Sequence, residues 1–548
     1  MMREAIRSEL ARVAASLGAP ADVAVELETP REKAHGDVAT NLALTLARQL
    51  KQPPRTIAER IVGALRLPTG LVASVEIAGP GFINFRFADN QLTSILTAII
   101  SAGKYYGRAL AAHPQRVNVE FVSANPTGPL HVAHGRGAAL GDCVATLLEW
   151  QGHTVQREFY VNDAGVQIQR LGESLWARVQ QAVGREAMIP ENGYHGAYLV
   201  DLAASLLRDQ GRAFADGDAA EGSRYGTQYA ATALQAQQRL DLDHFKVRFD
   251  VFFEESRLYE QERIESTLGA LRAHGALFED GGALWLRTTR WGDDKDRVLR
   301  KSDGSYTYFL PDIAYHEDKA LRGFDRAIDV WGADHHGYVS RMRAAMQALG
   351  HGADFFRALI VQLVTVLRHG EEVKMSKRAG EFITLRDLVD EVGVDAARYF
   401  FLMRRADTPF AFDIDLALKR TEENPVFYVQ MAHARLSSIF RVGGIDPASG
   451  SLEGVDVAAL TDESEPELIK QLARFPDVVR SAAEALEPQR VTAYLEELAR
   501  SAHLWYHRCR VLGEAPATER ARLALARATR IVLGNGLALL GLTAPERM

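Results

Sequence analysis

Two short stretches concentrate side chains suited to handling phosphate. In His131-Val132-Ala133-His134-Gly135 two imidazoles lie three residues apart at the start of an apolar-periodic helix. There the helix dipole and the free backbone N–H groups favour an anion, and the rings can donate to phosphate oxygens as charge builds in a transition state. Lys374-Met375-Ser376-Lys377, followed by Arg378, Ala379 and Gly380, is a basic loop. Its two ammonium groups suit a departing pyrophosphate, and each such contact can be worth ~3 kcal/mol. Read singly, the first stretch is equally a pair of surface histidines and the second a solvated charge run. Read together, in order and each behind an apolar strand, they describe an ATP site divided between two distant parts of the chain.

Such a site needs elements that aim it. Val117, Val119 and Phe121 alternate with Asn118 and Glu120, which predicts a strand; Pro126, Gly128 and Pro129 end it. After His134 a helix is expected through Leu140, Val144, Leu147 and Leu148, spaced as one helical face. Strand, turn and helix in this order open a doubly wound nucleotide fold. The expected architecture is multidomain α/β. Residues 1–110 form an α+β domain, with helices near 40–50 and 56–65 and a strand after the turn Gly79-Pro80-Gly81. Residues 103–114 read as a linker. Residues 115–405 form a Rossmann-type parallel-sheet domain, with strands at 326–331 and 359–367 and a helical insertion at about 165–285 broken by Ala215-Asp216-Gly217-Asp218. Residues 406–548 form an all-α bundle with a polar loop at 447–467.

Composition narrows the class. The 548 residues are 47% apolar and 25% charged, ordinary for a soluble globular protein. No apolar run is long enough to span a bilayer, and the N-terminus lacks the pattern of a secretory signal, so a cytoplasmic protein is expected. A net charge of −7 argues against indiscriminate nucleic-acid binding. Only two cysteines occur, Cys143 and Cys509, which leaves no cysteine-based structural zinc site. His335-His336 invites a metal reading, but adjacent side chains on a strand point apart and no further ligands are evident, so no metal site is assigned.

Taken together, the two stretches resemble the His-x-Gly-His and Lys-Met-Ser-Lys signatures of class I aminoacyl-tRNA synthetases. Val119-Glu120-Phe121-Val122-Ser123-Ala124-Asn125-Pro126-Thr127-Gly128-Pro129-Leu130-His131 looks like the arginyl-tRNA synthetase version of the first. Similarity to that family extends over nearly the whole chain. It includes Glu32-Lys33-Ala34-His35-Gly36-Asp37-Val38-Ala39-Thr40-Asn41 and Gly79-Pro80-Gly81-Phe82-Ile83-Asn84, then Trp331-Gly332-Ala333-Asp334-His335-His336-Gly337-Tyr338. It continues through Asn424-Pro425-Val426-Phe427-Tyr428-Val429-Gln430-Met431-Ala432-His433-Ala434-Arg435 and the ending Ala544-Pro545-Glu546-Arg547-Met548. The stretch in the N-terminal domain is the most specific, because most other class I synthetases lack that domain.

The resemblance implies ligation of L-arginine to tRNA(Arg) through an arginyl-adenylate formed from ATP with Mg²⁺, with bound tRNA needed for the first step. It implies His131, His134, Lys374 and Lys377 as catalytic groups. Ala133, Gly135, Gln362, Met375 and Ser376 join them around ATP. Glu120, Ser123 and Asn125 are implied at the α-amino and carboxylate end of arginine, and Tyr308 and Asp312 at the guanidinium, with Asp334 and His335 bordering the pocket. A guanidinium is a planar fork that pairs best with carboxylates; without the family context, Tyr308 and Asp312 read equally as a core tyrosine beside a helix-start aspartate. His35, Asn41, Asn84, Phe427 and Tyr428 are candidate tRNA contacts, although at helical spacing the last two also suit a core. A monomer is expected. Ala133 stands where the signature has Gly, and a methyl there could weaken ATP binding. Two other classes stay open at this stage: a synthetase for a different amino acid, and a non-catalytic relative that binds tRNA.

Overall fold

The computed structural model describes the whole chain except residues 1, 21–22, 31, 33–34, 89, 164, 374–382 and 448–454. At the N-terminus three strands pair antiparallel in the order Val38–Thr40, Phe82–Phe87, Val72–Ala78. The turn Gly79-Pro80-Gly81 sets their register, and Ile83 and Phe85 turn inward. Helices Met2–Ser16, Leu42–Leu50 and Pro54–Ala64 cover the buried face, which supplies the apolar side that each amphipathic pattern requires.

The middle of the chain builds a five-stranded, all-parallel sheet. Its order is Phe356–Val361, Arg326–Gly332, Arg116–Glu120, Thr154–Val161, Val251–Glu254. The first strand in sequence is central, and the chain leaves it in both directions, so a topological switch point lies just beyond Glu120. Open α/β sheets place ligands at that crevice. Helix Val132–Trp150 follows the central strand and is buried along most of its length. It packs closely because Gly141 faces Phe121: an added Cβ would stand 2.2 Å from that ring.

Three sequence expectations change. The insertion is a set of helices, Val166–Ala182, Tyr198–Gln210 and Ala219–His244, around their own small core. It ends well before residue 285, because Val251–Glu254 returns to the sheet as an edge strand and an antiparallel trio, Leu277–Asp280, Ala283–Leu286 and Arg297–Arg300, follows. Four-residue strands are too short to show a period. The single strand expected at 359–367 is two strands in different sheets. Phe356–Val361 closes the parallel sheet, and Val364–Arg368 pairs with Phe410–Asp413 and Glu371–Glu372. Gln362 is the one polar residue at the break, too slight a signal for hydropathy to reveal it. Phe410–Asp413 also interrupts what reads as purely helical sequence.

Five longer helices complete the chain: Pro425–Gly443, Ser464–Ala473, Phe475–Ala485, Gln489–Arg508 and Pro516–Leu539. One continuous apolar core runs from the N-terminal sheet through the signature helix into this bundle. The segment read as a linker is docked, not loose. Asn535 donates to the carbonyls of Gly103 and Tyr106 at 2.9 and 3.0 Å, and the Tyr106 hydroxyl donates to Leu472. Arg398, fully buried, joins Asp142 of the signature helix at 2.6 Å and donates to the Leu540 carbonyl. A charge so deep is sustained only by such a complete set of partners.

Candidate active site

The site grows from the end of the central strand. After Glu120 the chain bends sharply: Val122 and Ser123 both take positive φ, 68° and 38°. For a β-branched valine this conformation costs free energy, and such strain persists only where the surroundings enforce it. Ser123 is held from both sides, its Oγ donating to Glu120 Oε1 at 2.9 Å and accepting from the Tyr160 N–H at 3.1 Å. The insertion braces the next residues. Asn125 donates to Gln167 at 2.8 Å, Gln238 donates to the carbonyls of Asn125 and Gly128, and Tyr198 donates to the Thr127 carbonyl at 2.6 Å.

His131 then caps helix Val132–Trp150 in extended conformation. Its backbone N–H donates to His134 Nδ1 at 3.2 Å, and the two rings stack with centroids 3.7 Å apart. Because Nδ1 accepts, the proton of the neutral His134 ring sits on Nε2. Both imidazoles line a cleft of about 720 Å³, whose opposite wall comes from Gln167, Asn192, Tyr194 and His195. Ala133 lies within the first helical turn and is absent from the positive-φ residues, so alanine costs nothing in backbone geometry there. Gly135 is buried against Leu385 and Phe401; a Cβ would come within 2.6 Å of Leu385, so its small size serves packing between helices.

Lys374, Met375, Ser376 and Lys377 lie outside the described residues, but the chain on both sides of them is placed. Val373 donates to the Val366 carbonyl at 2.9 Å. On the far side Thr384 forms an antiparallel bridge with His131, and Leu385 N–H donates to the Leu130 carbonyl at 2.8 Å. Thr384 also caps the next helix through Asp387. The segment that follows the second signature is thus hydrogen-bonded directly to the first. One turn along the signature helix, buried Arg136 donates to the carbonyls of Gln362, Arg405 and Thr408 at 2.8 to 3.0 Å. Burial lowers this guanidinium to about 10, which leaves it charged at neutral pH. Gln362 sits in the link between the two strands, its N–H donating to Ala406.

Helix Phe309–Leu321 reaches the end of the central strand from another side, where its Lys319 pairs with Glu120. Tyr308 precedes the helix, 87% exposed, and Pro311 falls in its first turn, where a missing N–H is harmless. Asp312 points inward and accepts from the Tyr338 hydroxyl at 2.6 Å. Burial pushes its carboxyl up to about 6. Glu255 lies close enough to raise it further, and burial likewise raises Glu255, which is hydrogen-bonded to Tyr160. Glu255, Tyr160 and Tyr338, which sequence reasoning did not single out, lie around the Asp312 carboxyl. Glu255 follows a four-residue edge strand, and no spacing rule connects it to Asp312. Asp334 and His335 sit in the turn Ala333–Tyr338 after the neighbouring strand, both largely exposed and 3.4 Å from each other.

Glu120, His316 and Asp329 bring one ligand atom each within 4.8 Å of one another. The space is already taken by the ammonium of Lys319, 2.7 Å from Glu120 and 3.0 Å from Asp329, so the group is an ion-pair network. Of the tRNA candidates, His35 is exposed, Asn41 starts helix Leu42–Leu50, and Asn84 is only 7% exposed within its sheet. Phe427 and Tyr428 are half-buried in helix Pro425–Gly443, with the Tyr428 ring 4.5 Å from that of His503.

Comparison with known proteins gives the family. Residues 1–87 match the arginyl tRNA synthetase N terminal domain, residues 94–408 the catalytic domain of tRNA synthetases class I (R), and residues 429–548 the DALR anticodon binding domain. Arginine–tRNA ligase 1 of Halalkalibacterium halodurans is 46% identical over 551 residues, covering 100% of this chain and 99% of that protein. The arginine–tRNA ligase of Geobacillus kaustophilus is 48% identical over 554 residues, with the same coverage. In fold, the chain superposes on Thermus thermophilus arginyl-tRNA synthetase with a TM-score of 0.79 over 100% of both chains, at 23% identity. It also shares its core with Mycobacterium tuberculosis methionyl-tRNA synthetase, with a TM-score of 0.54 at 12% identity over 79% of this chain and 92% of that one. With all three domain types present in order and close relatives matched end to end, the chain belongs to the arginyl-tRNA synthetase family and is an arginine–tRNA ligase that charges tRNA by way of an aminoacyl-adenylate.

Proposed function

We propose that the two half-reactions run in the crevice between helix Val132–Trp150 and helix Phe309–Leu321. Arginine lies with its α-amino end at Glu120, Ser123 and Asn125 and its guanidinium at Asp312, Glu255 and Tyr308. Asp334 and His335 border the rim. The arginine carboxylate attacks the α-phosphorus of ATP, and the bond to pyrophosphate breaks on the opposite side. His131 and His134 donate to the phosphates, with Ala133, Gly135 and Gln362 around the nucleotide. Lys374 and Lys377, with Met375 and Ser376 between them, take the charge of the leaving pyrophosphate. The terminal ribose hydroxyl of tRNA(Arg) then attacks the adenylate carbonyl and releases AMP. The observation that carries this reading is the backbone bridge between His131 and Thr384, which ties the chain after the second signature to the first.

Class I synthetases use ATP, usually with Mg²⁺. The described walls of the phosphate cleft carry imidazole, amide and hydroxyl groups and no carboxylate. Mg²⁺ would enter with the nucleotide as MgATP and would supply charge neutralisation there. No helix among the described residues is long and apolar enough to cross a membrane. A cytoplasmic monomer without structural zinc is the reading that goes with this site.

The first half-reaction is expected to wait for tRNA. Pyrophosphate exchange with arginine should be negligible without tRNA(Arg) and robust with it. Full exchange without tRNA would remove this dependence, and none in its presence would remove the assignment of the site.

Asp312 also sets a pH response. The guanidinium needs the carboxylate, and in the free enzyme that carboxyl titrates at about 6. Above this pH, KM for arginine should be flat; below it, KM should climb by up to about tenfold per unit as proton and substrate compete. Glu255 acts in the same direction. A KM for arginine that stays flat down to pH 5 would place the guanidinium elsewhere.

A further inference from the structure

Helix Phe309–Leu321 carries Asp312, His316 and Lys319 on one face, and these three side chains do more than border the arginine site. Lys319 is 0% exposed. Its ammonium donates to Glu120 Oε2 at 2.7 Å and to Asp329 Oδ1 at 3.0 Å, and stands 4.4 Å from the centre of the Tyr315 ring. Asp329, on the strand Arg326–Gly332, uses its other oxygen for His316 Nε2 at 2.7 Å; His316 Nδ1 lies 2.7 Å from the Asp312 carbonyl. A continuous buried chain therefore joins the strand end that meets the α-amino group to the helix start that meets the guanidinium.

We propose that Lys319 is a positioning residue for arginine: from behind, it holds the Glu120 carboxylate ionised and aimed at the substrate's α-ammonium. This rests on the reading above that places that ammonium at Glu120. The geometry divides the carboxylate into two sides. Lys319 and Ser123 take one lone pair on each oxygen, and an ionised carboxylate offers about four such sites, so two remain for the substrate. Burial raises the Glu120 carboxyl on balance, and the Lys319 ammonium is the largest influence opposing that rise. Without a permanent cation behind it, a carboxyl only 7% exposed would meet the substrate as a neutral acid. A mobile surface cation could not do this, because it would compete with arginine for the same lone pairs. Lys319, itself fully buried, approaches from the core.

The test separates positioning from general support of the fold. Lys319→Met should raise KM for arginine in aminoacylation by about 30-fold, the loss of one charge-assisted contact, with KM for ATP unchanged. 5-Guanidinopentanoate, which is arginine without its α-amino group, used as a competing ligand, should inhibit the variant and the parent enzyme equally. Should Lys319→Met fold poorly, Lys319→Met with Asp329→Asn removes the buried carboxylate charge left without its cation, and the same selective loss is expected. Equal weakening of arginine and the inhibitor, or no change in either, overturns the inference. Glu120→Gln distinguishes the levels: if it leaves KM for arginine unchanged, the placement of the α-ammonium itself is wrong. If Glu120→Gln raises KM and Lys319→Met does not, only the role of Lys319 falls.

Discussion

Asp312→Asn should nearly abolish arginine charging while making the protein more stable. The two effects share one cause. Asp312 is half-buried, its carboxyl sits at about 6 against an ordinary 3.8, and desolvation is the leading reason. Keeping it ionised at pH 7.5 therefore works against folding, by about 3 kcal/mol for a shift of this size. The sign is that of a raised acid: the favourable contribution of the neutral form is complete below the unfolded value and is lost as pH rises through the folded one. Asparagine has no proton to lose and can still accept from Tyr338, so the variant should melt higher at pH 7.5, with the advantage vanishing towards pH 4. It cannot pair with a guanidinium. Removing one member of a buried charge pair costs about 3 to 5 kcal/mol, so kcat/KM for arginine should drop by at least 10²-fold to 10³-fold, on the order expected for that loss. Arginine titrations of aminoacylation and a thermal melt at two pH values check both halves. A variant that charges tRNA normally would remove Asp312 from the substrate; one that is inactive but less stable would make it a structural residue.

His134 carries the second large effect, and two substitutions separate its two roles. Its Nδ1 accepts the backbone N–H of His131 at the helix start, while Nε2 bears the proton that the proposed reaction would direct to phosphate. His134→Ala loses both. Losing the cap contact costs stability of about 1 kcal/mol, and losing a transition-state donor costs about 10² to 10³ in kcat. His134→Asn can restore the cap contact, since a short amide oxygen reaches the same N–H, but it cannot place a donor where Nε2 lies. Single-turnover adenylate formation should therefore be slow in both variants, with only the alanine variant less stable. Recovery of the rate in His134→Asn would reduce His134 to a cap.

Much of the frame behind these expectations is legible in the residues themselves. The central strand and the signature helix announce themselves because Val117, Val119 and Phe121 repeat with period two, and Leu140, Val144, Leu147 and Leu148 follow one helical face. Pro311 indicates that Tyr308 precedes its helix, and the helix does begin at Phe309. Short elements carry no such signal. Val251–Glu254 and Phe410–Asp413 are strands of four residues whose place is set by the sheets they complete, and a mostly apolar run, polar only at Gln362 and Thr365, hides the change of sheet at Gln362 and Leu363.

The site divides the same way. Glu120, Ser123, Asn125, His131 and His134 cluster because they are near neighbours in the chain, around one strand end and one turn. Asp312 needed a second helix brought against that strand, and there the tertiary structure adds what spacing cannot: Tyr338, Glu255 and Tyr160 around the Asp312 carboxyl, and Lys319 behind Glu120. It also shows Asn84 buried and Tyr308 exposed, although both look alike as polar or aromatic candidates in sequence.

By itself, then, the sequence determined the family chemistry and the local units, because catalytic signatures and helix or strand periods are encoded over a few consecutive residues. Only the tertiary structure decided which carboxylates share a pocket, which cation stands behind them and how the His131 turn is bound to Thr384. Burial, charge pairing and backbone bridging are properties of segments far apart in the chain, and they exist only once the sheet has closed around them.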